Sequence, residues 1–471
     1  MKSMQNNLIK IYINIYAAFL IMYMLFGRSF SGIQLFSFKI GELLVGFCLL
    51  FGILFFPYSK YKTFTQKFIF NYKIFILSKA FILSFILSLI FNSGSFFNLY
   101  SYRSSSIIWT INFIFLGYFL FNILDEDSYL FKLLPSIPII VYILSTVHFP
   151  EILIKFFNDY SDKFDFVKGS DLLLTFVVTT LFVRNKYKDS LFGFTYFLSI
   201  SSLFVPLFIY KSKGAFFPGL LFIIFNIFYY RNFIFTNKLK STLVLLLCIP
   251  VFLVSTFNSY GNLTFKKMGM DQYSQEENIA SAVPDALSTI LSEKNTPEIF
   301  ASFFIMDGRL YSQEQMANWR LQIWQDTVRD LFWNARYYQD EITYGLVRDQ
   351  GGLRNDLTYL FGFGYNEILP SMNHWERQGT DGSNQNPHNF LIYALGRGGF
   401  LLGFLVILFN ISLIVFWYKK HKNFLILLYI LPILFAASFD AALESVRYPL
   451  IYFSFYAYFI KNNIEKVNKN N

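Results

Sequence analysis

Long apolar runs are the feature that most constrains this chain, because they recur along most of its length. Of its 471 residues, 55% are hydrophobic and only 15% are charged. A helix that crosses the hydrocarbon core of a bilayer needs about 20 apolar residues. The sequence therefore predicts an all-α integral membrane protein with about twelve transmembrane helices. The runs lie at 8–26, 34–56, 72–92, 105–124, 132–149, 171–185, 191–210, 214–230, 240–257, 390–418, 424–439 and 446–460.

One long polar segment interrupts these runs, from about Asn258 to Pro387. It holds 10 Lys/Arg against 17 Asp/Glu, a net charge of −7, whereas the whole chain carries +10. Cytoplasmic loops of membrane proteins are rich in lysine and arginine. The segment is therefore predicted to face outward and both termini to be cytoplasmic. Basic residues on the predicted cytoplasmic side include Lys60, Lys62, Arg184, Lys186, Arg231, Lys238, Lys419, Lys420 and Lys461.

These patterns divide the chain into three regions. Residues 1–257 are predicted to form nine transmembrane helices, and 258–388 a large, mainly helical outward loop. Residues 389–471 are predicted to form three more helices and a cytoplasmic tail. The first run lacks a small-residue cleavage site, so we expect it to remain in the membrane. Because topology explains the basic balance, nucleic acid is not an expected partner.

The cysteines and histidines do not have the spacing of a metal or cofactor site. Cys48 and Cys248 both fall in apolar runs, so neither a disulfide nor a thiolate metal site is expected in the loop. His148, His374 and His421 are scattered along the chain. We therefore expect neither a cofactor nor a metal.

His388 is the leading catalytic candidate. It follows Pro387 at the point where the polar segment meets the apolar run 390–418. An imidazole that is neutral near pH 7 can accept a proton from a sugar hydroxyl, which is the task of a general base. The alternative is an interfacial histidine that, with Asn389, caps the following helix.

Arg320 is the second candidate. The best helix of the loop is predicted over 313–332, where apolar residues recur at helical spacing. Arg320 falls on the apolar stripe, so it must face an anion or an open cavity. A salt bridge to Asp326 or Asp330 is the alternative. Arg309 is a weaker substrate-binding candidate, since the Asp-Gly pair before it is typical of a surface turn.

Two shorter stretches carry further candidates. Ser212-Lys213-Gly214 lies in a short turn on the predicted outward side, where basic residues are disfavoured. A cation at the outer lipid interface suits a phosphate or pyrophosphate, so Ser212 and Lys213 are predicted to bind substrate. The alternative for Lys213 is a lysine that snorkels to water. Nearer the C-terminus, Glu444 and Arg447 are three residues apart and are expected to pair with each other.

Four stretches together resemble the O-antigen ligase and O-antigen polymerase superfamily of bacterial envelope proteins. They are His388-Asn389 with Gly399 downstream, Trp319 to Trp324 with Gly362-Phe363-Gly364 downstream, Ser212-Lys213-Gly214, and Phe439-Asp440 through Ser445. Two positions depart from the family pattern. Leu402 stands where a small residue or tyrosine is usual, and Lys213 replaces an arginine, which weakens a bidentate grip on pyrophosphate.

The resemblance implies a metal-independent, inverting glycosyltransferase at the periplasmic face of a bacterial inner membrane. The donor would be a glycan on undecaprenyl pyrophosphate, and the acceptor a glycan or lipid A-core. His388 would act as the general base, and Arg320 with Lys213 would hold the pyrophosphate. Ser212, Arg309 and Asn389 would contact the substrate. The resemblance leaves open whether the enzyme is a ligase or a polymerase.

A secondary transporter is the alternative from a different class. That function requires ionisable residues near the middle of the membrane and repeated halves. Lys39, Glu42 and Lys79 are the candidates near the predicted spans, and the two halves of the sequence show no similarity.

Overall fold

In the structure, a computed structural model, the chain folds mainly into α-helices. The described residues are 2–35, 38–46, 71–95, 97–124, 128–162, 167–187, 190–262, 303–306, 308–313, 315–340, 345–378 and 384–462. Before the polar segment the helices are α1 (Lys2–Ser31), α2 (Tyr72–Phe91), α3 (Leu99–Ser104), α4 (Ser106–Thr110), α5 (Phe113–Ile123), α6 (Tyr129–Leu133), α7 (Ile137–Thr146), α8 (Glu151–Tyr160), α9 (Gly169–Lys186), α10 (Leu191–Lys211), α11 (Lys213–Thr236) and α12 (Lys238–Asn262). After α1, the strands β1 (Gln34–Leu35) and β2 (Phe38–Lys39) form a small antiparallel pair.

The polar segment and the C-terminal region contribute the remaining elements. In the segment these are β3 (Phe303–Met306), β4 (Arg309–Ser312), α13 (Gln315–Asp330), β5 (Arg336–Asp340), β6 (Gly345–Asp349), α14 (Thr358–Phe361), a 3-10 turn (Pro370–Met372) and α15 (Trp375–Gln378). The last three helices are α16 (Phe390–His421), α17 (Leu427–Ala437) and α18 (Arg447–Asn462).

Seven helical stretches in the described part of the chain are long and apolar enough to cross a membrane. They lie in α1, α2, the broken α4–α5 pair, α10, α11, α12 and α16. The α7–α8 pair, bent by 86°, gives an eighth if it is counted as one span. The predicted helical membrane fold is confirmed at this level, whereas the predicted count of about twelve spans is not.

The difference in count has identifiable reasons. Helix α9 is buried along almost its whole length and carries Asp171, Arg184 and Lys186, so protein and not lipid surrounds it. Helices α17 and α18 have only 11 and 16 residues. Much of the predicted run 34–56 lies outside the described residues. Apolar composition alone does not distinguish a helix buried in protein from one in lipid.

The described part of the loop is less helical than predicted. Helix α13 agrees with the predicted helix over 313–332, and its apolar stripe is confirmed, because Ile323 and Leu331 are fully buried. Two antiparallel hairpins, β3–β4 and β5–β6, accompany it. Strand β4 ends at Ser312, shortly before α13 begins. The described part of the loop is therefore mixed in secondary structure.

A glycine contact docks the loop against α16. Gly362 has a φ of 71°, and a Cβ there would lie 2.5 Å from the carbonyl carbon of Arg397. The amides of Phe363 and Gly364 donate to the carbonyls of Gly396 and Arg397, at 2.8 and 3.1 Å. The glycines of Gly362-Phe363-Gly364 thus allow the loop backbone to approach α16 this closely.

The facing stretch of α16 is kinked. Gly399 has a φ of 62°, and a Cβ there would lie 2.3 Å from the carbonyl carbon of Leu360. The buried guanidinium of Arg397 donates to the carbonyl oxygens of Gly364 and Glu367. These contacts fix the loop relative to the first turns of α16, which follow directly after His388.

The two ends of the bundle differ in chemistry. We call the end at which residues 384–389 enter α16 the loop end. Arg28 of α1, Lys168 before α9 and Asp440 after α17 line cavities at this end. At the opposite end, Lys420 donates to the carbonyl of Ile460 at 2.6 Å.

We predict that Gly362→Ala destabilises the protein by about 2 kcal/mol or more, because alanine is strained at positive φ and its Cβ would overlap Arg397. The measurement is thermal unfolding of the purified full-length protein in detergent. Gly352→Ala is the matched control, since a Cβ at Gly352 meets nothing within 4 Å. Equal stability of the two variants would contradict the proposed docking contact.

Candidate active site

Two cavities meet at the loop end of the bundle, and His388, Arg320 and Lys168 line both of them. The larger cavity, of about 710 Å³, extends from these residues toward Tyr102, Trp109 and Glu444. The smaller cavity, of about 300 Å³, extends toward Ser170, Ser212, Gly214 and Asp440. The two predicted catalytic residues are thus brought to one place, although 68 positions separate them in the sequence.

Local contacts on both sides hold His388 in place. The indole of Trp324 donates to the carbonyl of Pro387 at 2.6 Å. On the other side, the side chain of Asn389 accepts from the amides of Leu391 and Ile392 and caps α16. Between these anchors His388 has a φ of 54°, a conformation that non-glycine residues seldom adopt. Strained residues of this kind cluster at functional sites.

Each ring nitrogen of His388 faces an oxygen. Nε2 lies 2.8 Å from Oδ1 of Asn384, a residue of the larger cavity. Nδ1 lies 3.6 Å from Oδ1 of Asp440, a residue of the smaller cavity. The latter distance is in ion-pair range and longer than a hydrogen bond. Two oxygen neighbours favour the imidazolium form, so they would stabilise the ring once it has taken a proton.

Burial opposes that form in the resting protein. It lowers the pKa of His388, and although Asp440 counteracts the shift, the positive charges of Arg320 and Lys168 add to it. The imidazole is therefore neutral at pH 7 and able to accept a proton. A group that is neutral at rest and has acceptors ready for its charged form has the properties of a general base.

Asp440 is the centre of a polar cluster behind His388. Its carboxylate accepts from Ser170 Oγ at 2.6 Å and from the amide of Ala441 at 2.8 Å, and Lys168 Nζ lies 3.6 Å away. Burial alone would raise the pKa of Asp440, but His388, Lys168 and Ser170 hold it well below its usual range. Asp440 is therefore a fixed negative charge at the Nδ1 side of the imidazole.

Arg320 comes from α13, and its neighbour Trp319 packs edge-on against His388 with ring centroids 5.7 Å apart. The predicted alternative partners of Arg320 are held by other cations. Asp326 pairs with Arg309 at 2.8 Å and Arg377 at 2.6 Å, and Asp330 pairs with Arg348 at 2.9 Å. Arg320 thus contributes its charge to the walls of both cavities.

The predicted substrate-binding residues divide into two groups. Ser212 and Gly214 line the smaller cavity, so the turn that carries Lys213 lies at the site. The side chain of Lys213 lies outside what the structure describes. Arg309 and Asn389 are not among the residues that line either cavity. Arg309 is paired with Asp326. Asn389 caps α16 and donates to the carbonyl of Ser438. Their contacts are those of structural residues.

The expected pairing of Glu444 with Arg447 is wrong. Nε of Arg447 lies 3.1 and 2.9 Å from the two carboxylate oxygens of Asp171 in α9, and both side chains are buried. Residues three apart face each other only within a helix, and α18 begins at Arg447. Glu444 therefore lies before the helix, at the wall of the larger cavity.

An apolar groove of about 820 Å³ runs along α11 and α17. Phe225 and Leu431 line its middle, and Phe435 and Ser438 line its end near the loop. The neighbours of those last two residues, Ala436 and Phe439, line the smaller cavity. One end of the groove therefore lies beside the polar site.

Three residues of the site were not identified as site residues from the sequence. Asp440 and Glu444 belong to the stretch 439–445, which carries the family resemblance, and that was the available signal for both. Lys168 had none, since its role depends on which helix ends meet. Among the described residues, no group of three or more His, Cys, Asp and Glu lies close enough to hold a metal ion. Metal independence stays a prediction.

Comparisons with protein-family models, curated proteins and solved structures found no match to this chain. The geometry of the site and the motif resemblance are therefore the indications of its function.

We predict opposite effects of two substitutions on the pKa of His388. Asp440→Asn removes the carboxylate that favours the imidazolium and lowers the pKa further. Arg320→Gln removes a repelling charge and raises it. NMR titration of histidine-labelled protein in detergent measures both, and the chain has only four histidines to assign. The other three histidines serve as internal controls, and shifts of the same sign in both variants would refute the arrangement.

Proposed function

We propose that this protein is a glycosyltransferase of the O-antigen ligase or polymerase type, acting in bacterial surface-polysaccharide assembly. It transfers a glycan from undecaprenyl pyrophosphate to a hydroxyl of an acceptor sugar. The observation that carries the proposal is the position of His388, Asp440 and Arg320 at the junction of two polar cavities. The motif resemblance supplies the substrate class.

The smaller cavity suits the pyrophosphate of the donor. Lys168 and Arg320 supply positive charge there, and Ser170 and Ser212 supply hydroxyl groups. The apolar groove beside it suits an isoprenoid tail lying in the bilayer. A lipid-linked donor requires a polar site for its pyrophosphate beside an apolar groove for its tail.

The larger cavity suits the acceptor. It lies on the Nε2 side of His388, where an entering hydroxyl would replace the carbonyl of Asn384 as the partner of the ring. His388 takes the hydroxyl proton while the oxygen forms a bond to the anomeric carbon of the donor. The bond from that carbon to the pyrophosphate oxygen breaks, and the leaving group keeps the electron pair. Attack from the opposite face inverts the anomeric centre.

Charge accounts for the roles of the neighbouring residues in this scheme. Asp440 stabilises the imidazolium that forms, as a fixed carboxylate does in a catalytic triad. Arg320 and Lys168 stabilise the negative charge that develops on the departing pyrophosphate. This leaving group needs little further activation, so positioning and charge stabilisation supply the catalysis without a metal.

The proposal includes a topology. The loop end faces the periplasm, and both termini face the cytoplasm of an inner-membrane protein. Support comes from the distribution of charge, because Lys420 and Lys461 lie at the end opposite His388.

The secondary-transporter alternative has less support in the described residues. Lys39 is paired with Asp162 at 2.5 Å, and Glu42 with Arg103 at 2.5 Å. Both pairs lie at the wall of the larger cavity at the loop end, through Lys39, Glu42 and Arg103. Transport coupling requires such groups near the middle of the membrane.

We predict that His388→Ala and Arg320→Ala each lower glycan transfer in membranes by at least about 100-fold, because the first removes the base and the second a charge that stabilises the leaving group. The controls are His148→Ala and Arg336→Ala, which alter exposed residues away from both cavities. Turnover close to that of the unmodified protein in both site variants, at equal protein level, would overturn the proposed roles.

The same membranes distinguish ligase from polymerase activity. The acceptor is lipid A-core for a ligase and the next lipid-linked repeat unit for a polymerase. Loss of a ligase leaves full-length lipid-linked glycan. Loss of a polymerase leaves single repeat units that are still attached to the acceptor.

A further inference from the structure

The carboxyl group of Glu444 accepts no hydrogen bond of normal geometry from the described residues, although the backbone amides of Ala442 and Glu444 lie near it. Glu444 lies between α17 and α18, and its side chain is buried. Its backbone carbonyl accepts from Ser106 Oγ, but neither carboxyl oxygen has a hydrogen-bond partner among the described residues. Buried polar groups without partners are rare in native proteins, because desolvation costs free energy that no contact offsets.

The cation nearest to Glu444 in the sequence does not pair with it. Arg447 is three residues away, yet its guanidinium is held by Asp171. Glu444 instead belongs to the wall of the larger cavity, the same space that Nε2 of His388 borders. A buried carboxyl group without a hydrogen bond, in a residue of a cavity wall, indicates a ligand contact.

The protonation state of Glu444 fits a neutral ligand. Burial raises the pKa of this carboxyl group to about 8, and although nearby backbone amides and Arg447 counteract the shift, Asp440 adds to it. The group is therefore protonated at neutral pH. A protonated carboxyl group donates one hydrogen bond and accepts others. It can therefore both donate to a sugar hydroxyl group and accept from one.

The rest of the larger cavity has the chemistry of a saccharide site. Trp109 and Trp319 offer aromatic surfaces, against which the apolar faces of a sugar ring can pack. Asn384 and Gln385 offer amide groups that both donate and accept hydrogen bonds. A few placed polar groups among aromatic side chains are typical of small-ligand pockets.

We propose that Glu444 binds the acceptor sugar directly. Its carboxyl group hydrogen-bonds one hydroxyl of a neutral saccharide in the larger cavity and thereby directs another hydroxyl toward Nε2 of His388. The inference rests on the proposed function for the identity of the acceptor. The contact itself, between Glu444 and a neutral saccharide, can be tested without any transfer reaction.

The first experiment measures saccharide binding to the full-length protein in lipid nanodiscs. The probes are the methyl glycosides of glucose, galactose, mannose and N-acetylglucosamine, and tryptophan fluorescence reports binding through Trp109 and Trp319. We expect Glu444→Ala to raise the Kd of the best probe about tenfold or more, through loss of a hydrogen bond at a buried position. Glu444→Gln, which keeps a donor and an acceptor, is expected to stay within about threefold of the unmodified protein.

Two controls separate binding from folding. Glu151→Ala removes an exposed glutamate of α8 and leaves the Kd unchanged. If Glu444 had only a structural role, the Glu444→Gln variant would melt at a lower temperature than the unmodified protein. We expect its melting temperature to be equal or higher, since an unpartnered buried acid is replaced by an uncharged isostere. Equal saccharide affinity in the unmodified protein and Glu444→Ala would overturn the proposal, as would the absence of binding by all four glycosides.

A transfer assay on the same preparations distinguishes this inference from the proposed function. If Glu444 binds the acceptor, Glu444→Ala raises the acceptor KM about tenfold or more, and Glu444→Gln restores it. An unchanged KM in Glu444→Ala, with transfer abolished by His388→Ala, would refute the role of Glu444 alone. Full transfer by His388→Ala would refute the proposed function, while the saccharide Kd still decides the role of Glu444.

Discussion

Charged side chains can lie inside this helical bundle only where opposite charges or hydrogen bonds compensate them, and this constraint organises the loop end. Asp171 of α9 holds Arg447 of α18, and Asp440 lies between Lys168 and His388. Each contact joins elements that are far apart in the sequence. Because the loss of one partner in a buried pair leaves an uncompensated charge, these contacts define which helix ends meet. The two cavities occupy the space between the ends that are joined in this way.

The loop is held to this end by packing and hydrogen bonds. Gly362 and Gly399 allow the backbone of the loop and the kinked part of α16 to approach more closely than any side chain would permit. Trp324 attaches α13 to Pro387, immediately before the histidine. As a result, the helix that carries Arg320 and the residue that carries the imidazole share one rigid support. Catalytic geometry depends on such support, since small displacements of reacting groups cost large factors in rate.

The sequence predicted those features that depend on local pattern. The apolar stripe of α13 placed Arg320 on a buried face, and the change from polar to apolar sequence placed His388 at a helix start. The partners of these residues could not be predicted, because Asp440 lies 52 positions after His388 and comes from the end of a different helix. The pairing of Glu444 with Arg447 was wrong for a local reason, since the helix that would align them begins only at Arg447. The count of about twelve spans is not confirmed, because α9 is apolar but enclosed by protein and much of the run 34–56 lies outside the described residues.

The charged residues of α13 divide between its two halves. Asp326 and Asp330 lie on the C-terminal half of the helix, and Arg309, Arg348 and Arg377 hold them to the hairpins and to α15. Arginine at all three positions engages both carboxylates of α13 from the hairpins and from α15. Arg320, on the N-terminal half of the same helix, lies at the wall of both cavities and adds positive potential there. The acids of α13 are therefore turned to the rest of the loop, and Arg320 lies where the loop meets the bundle.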